Sequence, residues 1–150
     1  SNVKCLTGCF NQLALESLEV SHWNTSNVID MSYCFLNCVA LHSLDLSRWN
    51  TSNDKNLFRT FNNCKTLKTL DLSFWNVSNV EDMNNCFMSC ISLVYLNIEN
   101  WVINERCNIK DMFLGCDNLS LIKCTEKTFE RLFGELGDGW IYEDGFGMKC

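Results

Sequence analysis

Cysteine offers the most chemistry in this sequence. Eleven occur in 150 residues, an odd number, so at least one thiol stays free or pairs outside the chain. Four of them, Cys38, Cys64, Cys90 and Cys116, stand 26 residues apart. Zinc sites take their ligands from close C-x2-C pairs, and this column offers none. Unpaired Cys is among the most buried residue types, so the column reads as a small side chain filling one slot in each of four repeated units. Cys34 with Cys38, and Cys86 with Cys90, are four apart, but no His completes a tetrahedral set beside them, since His22 and His42 lie in different halves of their units. No metal and no cofactor is expected. Cys107, Cys124 and Cys150 fall outside the columns and are the better disulfide candidates.

Acidic residues recur as well. Glu19, Asp45 and Asp71 begin a row that continues through Asn97 and Lys123. Paired carboxylates could serve acid–base chemistry, but here they lack a companion base and an oxyanion donor. The sequence holds no Gly-x-Ser-x-Gly elbow and no phosphate loop. It also lacks the Gly-rich repeat that binds calcium in some β-helices. An enzyme is therefore not expected. Asn24-Thr25-Ser26, Asn50-Thr51-Ser52, Asn76-Val77-Ser78 and Asn118-Leu119-Ser120 match the N-glycosylation pattern. Asn, Thr and Ser in such runs equally satisfy backbone groups in turns, and both readings stand.

The elements that position these residues follow from the period. Trp23, Trp49, Trp75 and Trp101 keep the 26-residue interval, as do Phe35, Phe61, Phe87 and Phe113, and Leu18, Leu44, Leu70 and Leu96. Self-similarity at 20–50 residues marks a repeat architecture. In the first half of each unit apolar and polar residues alternate, as in Leu44-Asp45-Leu46 and Leu70-Asp71-Leu72, which predicts a short strand. In the second half, Val28, Met31, Phe35 and Cys38 fall at steps of three, four and three, which predicts a helix with one apolar stripe. Asn27 with Asp30, and Asn79 with Asp82, would cap it. The expected fold is an α/β repeat: a right-handed, leucine-rich-repeat-like solenoid with short parallel strands on one face and helices on the other. About four and a half units occupy residues 1–124. Ser1-Asn2-Val3 matches Ser26-Asn27-Val28, which predicts an array that continues before residue 1. Residues 125–136 predict an amphipathic helix with Phe129, Leu132, Phe133 and Leu136 on one face. Trp140 to Tyr142, then Asp144-Gly145 and a second apolar run, predict a hairpin. Together, residues 125–150 would cap the array.

Composition narrows the partners. The net charge of −6 and a pI of about 4.8 argue against nucleic acid, whose phosphates need a positive face, and against an anionic membrane surface. No run of eighteen apolar residues occurs, so no direct membrane insertion is expected. The outward strand positions form a candidate partner-binding strip: Glu19, Asp45, Asp71, Asn97, Tyr95, Arg48 and Phe74. It is acidic at one end and more aromatic toward Phe74 and Tyr95, which suits a basic protein partner.

The run Leu44-Asp45-Leu46-Ser47-Arg48-Trp49-Asn50-Thr51-Ser52-Asn53, repeated from Leu70 to Asn79 and continued through Val80 to Cys90, resembles the BspA-type leucine-rich repeat family. The resemblance covers residues 1 to about 124. It implies a surface or secreted protein that mediates protein–protein or host-surface interaction, with no catalytic residues to carry over. An intracellular or virion-associated setting is the alternative, and so is a structural subunit of a cell envelope, virion or filament that self-associates by stacking. Two departures matter. The family usually has Met before the repeat Phe, where this chain has Cys9, Cys34, Thr60, Cys86 and Met112. The unit after Trp101 reads Val102-Ile103-Asn104-Glu105, losing the Asn-Thr-Ser-Asn run, so the surface is not uniform along the array.

Overall fold

A computed structural model describes residues 3–150; Ser1 and Asn2, and with them the start of the match to Ser26-Asn27-Val28, lie outside the described residues. Five short strands recur at the repeat interval: β1 (Ser17–Leu18), β2 (Ser43–Leu44), β3 (Thr69–Asp71), β4 (Tyr95–Asn97) and β5 (Leu121–Lys123). Helix α1 (Glu126–Leu136) and the hairpin strands β6 (Trp140–Glu143) and β7 (Phe146–Lys149) follow. The strands form two sheets. β1 and β2 pair in parallel as one, while β3, β4 and β5 pair in parallel and continue antiparallel through β7 to β6.

This overturns the expected solenoid with helices on one face. Among the described residues α1 is the one α-helix, and the strands are split between two sheets. The second half of each unit is built of turns. The amides of Cys34, Leu36 and Cys38 bond to the carbonyls of Met31, Tyr33 and Phe35, three residues back. The alternate amides of Met31, Tyr33, Phe35 and Asn37 leave the unit altogether and bond to Asn56, Phe58, Thr60 and Asn62 of the next. A helix would send each N–H four residues back within its own segment.

Left-handed residues enforce the difference. Tyr33 and Asn37 have φ of 59° and 58°, Arg59 and Asn63 54° and 64°, Asn85 and Ser89 56° and 61°. These are the third residues of turns such as Met31 to Cys34, where a type II turn needs positive φ. For a residue with a Cβ this costs about 1–2 kcal/mol, and bonds to the neighbouring unit, each about 1 kcal/mol net, offset it. The expected caps serve other ends. Asp30 Oδ1 accepts from the Ser32 amide at 2.8 Å, and Asn79 Nδ2 donates to Ser52 O at 2.8 Å.

The columns hold the units together. Phe10, Phe35, Phe61, Phe87 and Phe113 stack nearly parallel at 5.3–5.7 Å between ring centres. Indole N–H groups reach back to the preceding unit: Trp49 to Val20 O at 3.0 Å, Trp75 to Leu46 O at 3.4 Å and Trp101 to Leu72 O at 2.9 Å. Trp23 is only half-buried. The cysteine column has a donor's task as well as a packing one. Cys38, Cys64, Cys90 and Cys116 donate S–H to the carbonyls of Phe10, Phe35, Phe61 and Phe87 at 2.9–3.2 Å, which explains a small residue that still carries a proton.

The C-terminal segment closes one end. Thr125 caps α1 by accepting from the Thr128 amide, and Thr128 Oγ1 donates to Trp101 O at 2.7 Å. Phe129 and Leu132 are buried, whereas Phe133, placed on the same face from its spacing, is half exposed. The β6–β7 hairpin adds to β5, and Tyr142 donates to Cys124 O at 3.1 Å.

Candidate functional site

The pleat decides which strand side chains face outward. Leu70, Leu96 and Ile122 point inward and are buried, so their neighbours emerge on the other face. Registration then places Thr69 beside Tyr95 beside Leu121, and Asp71 beside Asn97 beside Lys123. Glu19 and Asp45 follow β1 and β2, on the separate two-stranded sheet. β2 and β3 lie side by side without pairing, so the predicted row passes from one sheet to the other between Asp45 and Asp71.

Its members differ in what they can offer. Asn97 is buried and spends its Oδ1 on the Glu99 amide at 3.2 Å, so it shapes the turn. Asp45 and Asp71 are exposed, and each accepts from a serine amide two residues on, Ser47 at 3.0 Å and Ser73 at 2.9 Å. Hydrogen bonds from Ser47 and the charge of Arg48 hold Asp45 below the ordinary carboxylate range. Asp71 is lowered too, because bonds from Ser73 and Asn97 and the charge of Lys123 outweigh the raising effect of its partial burial. Lys123 is engaged by Glu99 at 2.7 Å, and that bond raises its pKa. Glu19 and Arg48 are exposed and Tyr95 is half-buried.

Phe74 stands out. Its side chain is 66% exposed, although the chain buries most of its phenylalanines, and Val102 is 63% exposed. The two line one groove with Ser73, Asn76, Ser78 and Asn100. Val102 also borders a second groove between the last unit and α1, lined by Glu105, Lys127 and Arg131. Sequence reasoning placed Phe74 on the strip but missed Val102. The signal was present in the loss of the Asn-Thr-Ser-Asn run after Trp101, which puts an apolar residue where other units carry Asn.

The remaining candidates lie in turns, in the core and at the C-terminus. Asn24, Asn50 and Asn76 are exposed, and each accepts through Oδ1 from the amide and hydroxyl of the serine two residues on. The eleven cysteines are unpaired in the structure. Cys107 and Cys124 are buried and Cys150 is exposed. Burial pushes the Cys107 and Cys124 thiols up to about 11, and Cys34 and Cys86 higher than their ordinary range. A buried thiol with a raised pKa is a poor nucleophile. Under native conditions a thiol reagent should label Cys5, Cys9 and Cys150 quickly and the other eight only on unfolding; fast labelling of Cys86 would refute this packing. Among the described residues no three His, Cys, Asp or Glu side chains converge as metal ligands, and no helix is long and apolar enough to cross a membrane.

A family described as "Mycoplasma protein of unknown function, DUF285" matches residues 4–123. No curated protein and no solved structure matches the chain.

Proposed function

The chain belongs to this family of Mycoplasma proteins of unknown function, DUF285, and on that premise we propose that it is a non-enzymatic protein-binding module centred on Phe74 and Val102. The exposed Phe74 beside Val102 carries the reading. A large aromatic left in water beside a second apolar side chain, with amides and hydroxyls around both, has the anatomy of a binding hot spot inside a polar rim. The exposed acids Glu19, Asp45 and Asp71, and the net charge of −6, favour a basic partner and disfavour nucleic acid. The likeness of the repeat to BspA-type sequences supports a place at the cell surface or outside the cell, where the partner would be another protein or a host surface.

The test uses basic peptides selected from a display library on the wild-type protein. Phe74→Ser should weaken their binding at least tenfold, since hot-spot truncations cost about 2 kcal/mol or more, with little change in thermal stability. Ile91→Ser, at an exposed position away from the groove, should leave binding intact. Equal binding by both variants would sink the proposal.

A second reading, a structural subunit that self-associates in an envelope, virion or filament, is favoured by a different observation. Leu6, Cys9, Trp23 and Val28 line an apolar groove in which Trp23 is incompletely covered. That role predicts association at micromolar concentration in sedimentation experiments, lost on Trp23→Ser.

A further inference from the structure

Asp54 occupies a slot that the adjacent units fill with valine. Val28 and Val80 stand 26 residues to either side, and all three backbones do the same work: each amide closes a turn on the carbonyl three residues back, Thr25, Thr51 or Val77, at 2.8–3.0 Å. Val28 is 1% exposed, Val80 0% and Asp54 0%. A carboxyl group has thus been placed in a core position shaped for a hydrocarbon.

Among the described residues, its surroundings give a charge backbone amides but no cation. Oδ1 accepts from the Asn56 amide at a long 3.3 Å, and Oδ2 is buried with no hydrogen-bond partner. Asp30 and the Cys34 thiol face it from the preceding unit, and the Cys86 thiol from the following one. Its sequence neighbour Lys55 turns outward to Glu81, 3.6 Å away, with both side chains exposed. An ionised group buried without a partner carries a large desolvation penalty, and the usual response is to take up a proton. Burial, with Asp30 adding to it, outweighs the pull of the Asn56, Lys55 and Met31 amides and raises Asp54 to about 7.

The unit carrying Asp54 is bonded to the next through the amides of Leu57, Arg59, Phe61 and Asn63, but its strand adds nothing there. Its strand β2 pairs with β1 but not with β3, so the strand ladder is interrupted on that side. The indole bond across the same junction, Trp75 to Leu46 O, is the longest of the three at 3.4 Å.

We propose that Asp54 is a proton-operated latch: neutral, it packs in the valine slot, and ionised, it loosens its unit from the two beside it, first at the unpaired junction between β2 and β3. This does not depend on what the exposed face binds. The direction follows from linkage. Between its unfolded value of 3.8 and about 7 the folded state holds a proton that the unfolded chain has released. Stability therefore falls as pH rises through that window and stays low above it. Ordinary carboxylates such as Asp45 and Asp71 act the opposite way, but near pH 4 and below, outside the range that matters here.

The experiment is urea unfolding from pH 5 to pH 8 with the whole chain. The unfolding constant of the wild type should rise about a hundredfold across this range, as one proton titrating near 7 requires. Asp54→Asn and Asp54→Val should each remove that rise, and amide exchange at residues 43–50 should quicken with pH more than at residues 121–123. Carbon NMR of the Asp54 carboxyl gives a direct reading should the valine variant fail to fold. A midpoint near 4, a flat wild-type profile, or a slope that survives in Asp54→Asn would each overturn the proposal.

Discussion

Trp75→Ala is expected to be the most damaging single truncation in the repeats, costing about 3–5 kcal/mol, the range for a buried tryptophan. The side chain is 1% exposed, stacks on Trp49 at 6.5 Å with the rings 4° from parallel, and meets Phe61 at 5.8 Å. Its position adds to the loss. Trp75 reaches across the junction where β2 and β3 do not pair, so the aromatic columns there do work that strand hydrogen bonds share elsewhere. A domain of this size holds roughly 5–15 kcal/mol in total, so the variant should sit near the edge of folding. Trp23→Ala offers the control, because Trp23 is half-buried and its removal should cost much less. Urea unfolding followed by circular dichroism checks the pair. Equal losses at the two positions would mean that the columns do not stabilise by burial as described. Trp75→Phe should fall between, keeping most of the apolar area while losing the indole donor, worth about 1 kcal/mol.

Gly147→Ala is expected to disrupt the C-terminal closure. Gly147 is buried in β7, opposite Ile122 of β5 and Tyr142 of β6. A Cβ built there would lie 2.6 and 2.7 Å from Cδ2 and Cε2 of Phe129, far inside van der Waals contact. The ring has little room to retreat, since it packs on Phe133 at 5.8 Å and on Tyr142 at 5.4 Å. Overpacking of this kind costs about 1–3 kcal/mol, here toward the upper end because the clash is with a whole ring edge. The strain should appear as faster amide exchange in β6 and β7 before the repeats are affected. Phe129→Leu, combined with Gly147→Ala, should recover part of the loss by opening the space the methyl needs. If the double variant is no better than the sum of the two single ones, the clash is not the cause.

The acidic face shows how far a sequence pattern carries. Alternation correctly separates Leu70 from Asp71 and Leu96 from Asn97, since a pleat alternates whatever the sheet does around it. Exposure does not follow from alternation alone. Asn97 is drawn in by its bond to the Glu99 amide, and Lys123 is held by Glu99, contacts set by the turn after the strand. The row also passes from one sheet to another between Asp45 and Asp71 because β2 and β3 do not pair, which no residue type in either strand announces.

The repeat itself was determined by the sequence. Equal spacing of Trp, Phe and Cys is written directly in the chain, and residues that recur at one interval and share one burial must occupy one slot. The tertiary structure decided how the slots are made. Apolar steps of three, four and three are common to a helix and to consecutive tight turns, because both return a side chain to the same side about every fourth residue. What separates them is where alternate amides find their acceptors. In this chain those acceptors lie in the next unit, some 25 residues away, and no local pattern contains that choice. The same long-range packing turned Asp54 from one more polar residue into a buried carboxyl, and it left Phe74 in water beside Val102.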